Sequence, residues 1–350
     1  MAGKKNSLLK KIILAFVIIV LAGGGIFGYK YYGMIYQSNV TLKGKATEVI
    51  YIHTGATFQD VSKTLYEKGF IVNRSSFEWL AERKGYNTKV KPGKYLIKND
   101  MSNNELINLL RSGKQEAVKL VFNNIRTKYQ LAGRLSKQIE ADSTSLIDLM
   151  NDENFLKSFS LNPENVVALF IPNTYEINWN TSAKQLFERM KTEYDKFWNQ
   201  DRKDLAKNAN LTPVEVSVLA SIVQEETNKT DEMARVAGVY INRLEKDMKL
   251  EADPTVKFSM GDFKIKRILK KHLQTDSPYN TYMYKGLPPG PICVPTSTTI
   301  DKVLNFEHHK FIYFCAKEDF SGYHNFARTG EQHRENARRY QNALNKRNIK

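Results

Sequence analysis

"LTPVEVSVLASIVQEETNKTDEMARVAGVYINRL", residues 211–244, carries two helical patterns and, between them, a pair of neighbouring carboxylates. Thr212-Pro213-Val214-Glu215 combines an N-cap residue, a proline at the first helical position and a reciprocal glutamate at N3, a strong helix start. Leu219, Ile222 and Val223 follow at helical spacing, and the run ends in Glu225 and Glu226. Beyond them Met233, Val236, Ala237, Tyr240, Ile241 and Leu244 form a second apolar stripe. On the first helix Glu226 shares its face with Val223, Ile222 and Leu219, whereas Glu225 follows Ile222, Ser221 and Val218, a slightly more polar setting. Burial against aliphatic groups raises a carboxyl pKa and suits it to act as a general acid near neutral pH. From spacing alone the alternative stands that both glutamates fan into water at a helix C-terminus, where the dipole gives them no help.

The chain of 350 residues is 41% hydrophobic and 26% charged, enough for a sizeable core and more than one domain. Its net charge of +16 favours an anionic neighbour such as lipid headgroups or wall polymer. No arginine-rich arm, zinc-finger spacing or aromatic RNA-binding signature supports a nucleic-acid partner. The only two cysteines, Cys293 and Cys315, show no metal spacing; they suit either one bridge or two buried thiols.

Near the N-terminus Lys4, Lys5, Lys10 and Lys11 precede "IILAFVIIVLAGGGIFGY", residues 12–29, which carries no charge. As a helix this stretch is roughly 27 Å long, close to the hydrocarbon thickness of a bilayer. Lysines before it place the N-terminus in the cytoplasm, and Tyr29, Tyr31 and Tyr32 suit the far interface. The expectation is a single-pass anchor in the plasma (inner) membrane with the rest of the chain outside the cytoplasm. A cleaved signal peptide is the alternative, though an A-x-A-like site is missing. With no cysteine near it, a lipoprotein anchor is excluded.

Along the chain the pattern is α+β. Residues 33–46 read as a short polar tether. "TEVIYIH" (47–53) reads as a strand, then a helix with Thr57 as N-cap, Asp60 at N3, Phe58, Val61 and Leu65 inward and Gly69 as the stop. A second helix runs from Ser76, "KPGKYLI" (91–97) returns as a strand, and Ser102 and Glu105 have capping-box spacing ahead of a helix closed by Gly113. Strand, two helices and strand resemble the small LysM glycan-binding module. Further on, "EAVKLVFNN" predicts a strand, "RTKYQLAGRLSKQIEA" a helix, "ALFIPNTYEI" a strand and turn, and "SAKQLFERMKTEYDKFWN" a long amphipathic helix. The polar stretch 199–211 marks a boundary. After the paired helices, "EADPTVKFSMGD" (251–262) reads as a loop, 264–272 as a basic solvated segment, "KFIYFCA" and "GYHNF" as paired strands, and residues 331–346 as a last helix.

Cofactor chemistry finds no motif. The six histidines make no H-E-x-x-H, and G-x-S-x-G, Walker A and G-x-G-x-x-G patterns are absent from the sequence. In Gly286-Leu-Pro-Pro-Gly290 the prolines stand where a phosphate cradle needs N–H groups. The expectation is an acid/base glutamate with no metal and no cofactor.

"LFIPNTYEI", "LASIVQEET", "VAGVYINRL", "EADPTV", "SPYNTYMYKGLPPGPI" and "GYHNF" occur in one order, and that set is similar to the endolytic murein transglycosylases, the YceG-like family. The resemblance runs from about residue 45 to the C-terminus. It implies a membrane-anchored lyase that cuts nascent peptidoglycan strands between N-acetylmuramic acid and N-acetylglucosamine, leaves 1,6-anhydromuramic ends and terminates elongation. Cell-wall synthases are then candidate partners. The domains implied are a cytoplasmic tail (1–11), a transmembrane anchor (12–32), a LysM-like subdomain (46–120), an α+β connecting region (121–205) and a catalytic domain (206–350). The family's catalytic glutamate falls on Glu226. Asn242, Asp253, Tyr279, Asn280, Tyr282, His324 and Phe326 fall on the other motifs as candidates to line a sugar-binding groove, although Asp253-Pro254 also suits a plain turn. Gln224 and Asn173 stand where the family often has Glu and Asp, so neither is assigned a charged role. A non-catalytic wall-binding scaffold and a water-using muramidase are the competing readings; the latter needs a second carboxylate, for which Asp253 is the candidate.

Overall fold

Nothing between residues 12 and 29 interrupts a helix. In the computed structural model, which describes residues 2–265 and 267–347, they lie within one long helix, α1 (Ala2–Tyr36). Met1, Lys266 and residues 348–350, which belong to the expected tail, basic segment and last domain, lie outside the described residues. The large apolar side chains of α1 from Leu8 to Phe27 are exposed, and the helix is long and apolar enough to cross a membrane.

The chain forms two compact units. The first comprises the residues up to Val118 together with Glu176–Asn180; the second comprises Lys119–Tyr175 and Thr181 onward.

In the first unit β1 (Thr47–Ile52) is followed by α2 (Phe58–Glu67), α3 (Arg74–Arg83), β2 (Gly93–Lys98) and α4 (Asn103–Ser112). β1 and β2 pair antiparallel, from Thr47 opposite Lys98 to Ile52 opposite Gly93. Capping boxes start α2 at Thr57/Asp60 and α4 at Ser102/Glu105, and Gly113 ends α4 in the left-handed conformation, as the residue types dictate. Ile50, Leu65, Phe77, Tyr95, Ile97 and Leu106 fill the core.

The expected polar tether is instead part of this unit. α1 continues to Tyr36, and Ser38 and Val40 then make isolated bridges to Ser102 and Ile71. Val40 and Leu42 are buried in the core, because their alternating apolar side chains complete its edge. A buried amide network fixes the junction: Asn103 Nδ2 donates to Met34 O and Ser76 Oγ, both at 2.9 Å, and Asn39 Nδ2 donates to Asn103 Oδ1 at 2.7 Å.

β3 (Val118–Val121) and β4 (Thr174–Ile177) form a second two-stranded sheet. In the second unit follow α5 (Lys128–Leu135), α6 (Ser143–Asn151), α7 (Glu153–Lys157), α8 (Ala183–Phe197) and α9 (Gln200–Asn208). One expectation is corrected here: the helix expected over "RTKYQLAGRLSKQIEA" stops at Leu135. The polar stretch 199–211 holds α9, capped by Asn199, with Ala206 buried.

α10 (Pro213–Glu226) runs through the core of this unit, with Val216, Leu219, Ala220, Ile222 and Val223 buried. Its start is the capping box read from the sequence, Thr212 N donating to Glu215 Oε2 at 2.7 Å. α11 (Met233–Glu245) and α13 (Ser297–Leu304) pack against it. Between them residues 253–260, expected as loop, form α12 (Asp253–Met260): Asp253 and Pro254 open a helix here, with Gly261 ending it at positive φ. The hairpin of β5 (Tyr313–Ala316) and β6 (His324–Ala327) and the last helix, α14 (Gly330–Lys346), complete the unit.

Candidate active site

Because α10 is buried on nearly every side, its C-terminal residues are delivered into the interior of the unit. The two glutamates part there. Glu225 forms an ion pair with Arg126 at 2.9 Å, whose guanidinium lies over the Phe263 ring. Glu226 turns into a cavity of about 450 Å³. Its carboxyl pKa is pushed up to about 7, first by desolvation and further by the Asp253 charge, while a hydrogen bond from Tyr240 opposes the rise. That bond runs from the Tyr240 hydroxyl to Glu226 Oε1 at 2.7 Å. Tyr240 is itself buried on α11, its phenol held neutral by the same low-dielectric surroundings.

The rest of the cavity comes from several elements. Asp253, at the start of α12, accepts a hydrogen bond from the Tyr282 hydroxyl at 2.7 Å, and both residues line the cavity. Arg243 of α11 is almost fully buried; it donates to Lys249 O and Ile312 O and pairs with Glu251. β5 contributes Tyr313, Phe314, Cys315 and Ala316 as one wall. His324 of β6 and His333 of α14 close it. The imidazole of His324 is fixed through Nδ1, 2.8 Å from the buried carboxylate of Glu232, which also accepts the His324 backbone N–H at 2.9 Å.

Of the eight residues singled out in the sequence, Glu226, Asp253, Tyr282 and His324 therefore meet in one cavity. The other four lie elsewhere. Asn242 Nδ2 donates to His309 O and Phe311 O, tying α11 to the segment before β5. Asn280 is fully buried and donates to Leu273 O and Thr275 O, while its Oδ1 accepts from Tyr282 N, so it shapes the loop that presents Tyr282. Tyr279 packs on Phe258 and lines a separate cavity of about 220 Å³ with Arg126 and Lys128. Phe326 packs on Phe311 and Phe314 behind the wall.

Reading the sequence missed Tyr240, Arg243 and Glu251. In the sequence Tyr240 falls within an apolar stripe; its signal is a hydroxyl at a buried helical position, which needs a partner. Gln224 turns away from the cavity, its Oε1 accepting from Thr296 N and Thr299 Oγ1. Cys293 and Cys315 are free thiols, the first buried and the second in the cavity wall.

The unit thus holds, in one polar cavity, a desolvated carboxyl with a pKa of about 7 that accepts a hydrogen bond from a buried tyrosine. The chain belongs to the YceG-like family, whose family model matches residues 50–339. A protein of Bacillus subtilis (strain 168) named endolytic murein transglycosylase is 26% identical over 330 residues, covering 90% of each chain. A protein of the same name from Streptococcus pneumoniae serotype 2 (strain D39) is 26% identical over 343 residues. That match covers 88% of this chain, which spans only 61% of the pneumococcal protein's length. The crystal structure of a yceG-like protein from Listeria monocytogenes superposes with a TM-score of 0.53 at 28% identity, covering 83% of this chain and 99% of that one.

Proposed function

We propose that this chain is a membrane-anchored endolytic transglycosylase of peptidoglycan in which Glu226 is the acid and then the base. The observation that carries the reading is the Glu226 carboxyl itself, raised to about 7 at a cavity wall and bonded to Tyr240. A group with that pKa exists in both protonation states near neutral pH, as a group that first gives and then takes a proton requires.

In this reading protonated Glu226 delivers its proton to the departing O4 of N-acetylglucosamine as the bond from muramic C1 to that oxygen breaks. The resulting carboxylate removes the proton from the C6 hydroxyl of the same muramic residue. The C6 oxygen closes on C1, and the 1,6-anhydro bridge forms without water. Tyr240 serves as a positioning residue: it orients the carboxyl through Oε1 and stabilises the ionised state between the two transfers. Asn242 and Asn280 are positioning residues as well, Tyr282 and His324 are groove residues, and Tyr279 and Phe326 support the walls from behind.

The first unit, with the order β1–α2–α3–β2 and antiparallel pairing, supports a LysM-like glycan-binding role. α1 serves as an uncleaved anchor with the N-terminus cytoplasmic; protease at the outer face of cells should remove the bulk of the chain.

One observation favours a second reading. Asp253 shares the cavity with Glu226, and its charge acts on that carboxyl, so a water-activating partner is available for hydrolysis. Digestion of purified peptidoglycan in ¹⁸O-water distinguishes the two. A transglycosylase leaves anhydro ends without label; reducing ends that carry ¹⁸O from the first cut would make this a hydrolase.

A further inference from the structure

A cluster of unpaired cations occupies one end of the first unit. Lys89, Lys91 and Arg111 line an open pocket of about 430 Å³ together with Asn108 and Ser112. Lys84 borders it, donating to Asn104 and to Asn108 Oδ1, the latter at 2.7 Å. Arg83 precedes it at the end of α3. Among the described residues none of these five cations makes an ion pair, and Glu82, the neighbouring acid on α3, pairs with none of them. Lys91 Nζ has only a backbone carbonyl, that of Ser112, at 3.0 Å. Partial burial, and after it repulsion from Arg111, hold the Lys84 pKa down.

The path of α3 says where this end lies. α3 begins beside the end of the anchor helix, since Asn73 N donates to Asn39 Oδ1 at 2.7 Å and Asn39 Nδ2 donates to Asn73 O at 3.0 Å. Further along α3 the Trp79 ring meets Tyr31 of α1 with centroids 5.4 Å apart. Thus α3 travels back along α1 toward its apolar stretch. Tyr31 is two residues past that stretch, about 3 Å of helix rise, where aromatic side chains sit at the headgroup level. Arg83 lies over the Trp79 ring at 5.1 Å, and the cationic pocket opens at this same end of α3.

We propose that this end of the first unit rests on the membrane surface, with the pocket of Lys84, Lys89, Lys91 and Arg111 taking the phosphate of an anionic phospholipid headgroup and Trp79 seated beside it. Lysine and arginine near a bilayer are drawn to anionic lipids, and guanidinium and ammonium groups together match phosphate oxygens. The inference rests on the proposed role of α1 as an anchor and adds a second, lipid-selective contact outside the span.

The test uses the full chain in bilayers that mix phosphatidylcholine and phosphatidylglycerol, with bromine on the acyl chains of one lipid or the other at equal mole fraction. Trp179→Phe and Trp198→Phe leave Trp79 as the sole tryptophan; a parallel chain with all three tryptophans replaced by Phe and Phe16→Trp reports on the anchor. Phe16→Trp should be quenched by either brominated lipid. Trp79 should be quenched about twofold more by brominated phosphatidylglycerol than by brominated phosphatidylcholine, given enrichment of anionic lipid at a basic site. Lys89→Gln/Lys91→Gln/Arg111→Gln should remove that preference while the Phe16→Trp signal stays. An unquenched Phe16→Trp would refute the anchor reading. A quenched Phe16→Trp with an unquenched Trp79, or with no lipid preference at Trp79, would overturn the headgroup site alone. Equal quenching of Trp79 by the two brominated lipids in phosphate-free buffer, with inorganic phosphate changing the Trp79 emission in a way that the triple Gln variant abolishes, would make the pocket a soluble-anion site and overturn it too.

Discussion

The Tyr240 hydroxyl donates to Glu226 Oε1 at 2.7 Å, and this bond opposes the desolvation that lifts the Glu226 carboxyl to about 7. A proton donor works only while protonated, so activity should fall as pH rises past the Glu226 pKa. Tyr240→Phe keeps the ring but removes the donor, and the Glu226 pKa rises further. The basic limb of the kcat/KM profile should therefore move to higher pH. An unchanged limb with a merely lower rate would assign Tyr240 to packing alone.

Glu226→Gln should lower turnover of glycan strands by at least ~10²-fold, the scale of losing general acid–base catalysis. Glu225→Gln breaks a partly exposed pair with Arg126 and should retain most activity. Comparable losses in the two variants would remove Glu226 from its role.

The same substitution should change how stability varies with pH. Glu226 has a pKa of about 7 in the fold against an ordinary value of 4.5, so the folded protein binds the extra proton between these limits. Stability contributed by this group is present below about pH 4.5 and is lost as pH rises through 7. Glu226→Gln removes that loss, and above pH 7 the variant should be more stable, by roughly 3 kcal/mol. Thermal unfolding curves of both proteins at pH 5 and pH 8 check the sign: the gap should open only at the higher pH.

Asp253→Asn separates two roles for one carboxylate. If Asp253 acts only through its charge, its removal lowers the Glu226 pKa and moves the basic limb to lower pH, with activity retained below it. If it activates water, turnover collapses at every pH by ~10²-fold or more. We expect the shift of the limb.

Asn103→Leu should destabilise the first unit by roughly 2–3 kcal/mol, because it strips buried partners from Asn39 and Met34 O. Chemical denaturation followed at Trp79 reports this directly. An effect within a few tenths of a kcal/mol would mean that the network closes around the change.

Local chemistry was the part of the fold most open to reading in the chain. The caps at Thr57, Ser102 and Thr212 stood out because each hydroxyl is followed three residues later by an acid that answers it. What stayed hidden depended on tertiary partners. α9 and α12 look polar or loop-like in isolation, and each is helical with one apolar residue, Ala206 or Val256, buried in the unit. Within the site the helical wheel separated Glu226 from Glu225 because α10 is buried nearly all round, and a difference of one residue there selects a different neighbour. Tyr240, fourteen positions on, gave no such sign: which carboxyl a buried phenol meets depends on how α11 crosses α10. Asn242 and Asn280 sat in motifs, yet their amides are engaged by backbone carbonyls, a use that residue type alone does not separate from sugar binding.

α1 runs without a break to Tyr36, and residues 37–42 continue straight into the core of the first unit. A flexible leash would let that unit sample a hemisphere of orientations and heights above a bilayer. A splint of this kind couples tilt and spin of the unit to those of the helix, so in a membrane the search left to it is two-dimensional. Lengthening α1 by one residue between Gly28 and Lys30, ahead of the contacts that Tyr31 and Met34 make with the unit, would then not loosen it; it would turn it by about 100° around the helix axis and lift it by about 1.5 Å. Height and heading would change together, by amounts that the helix itself dictates.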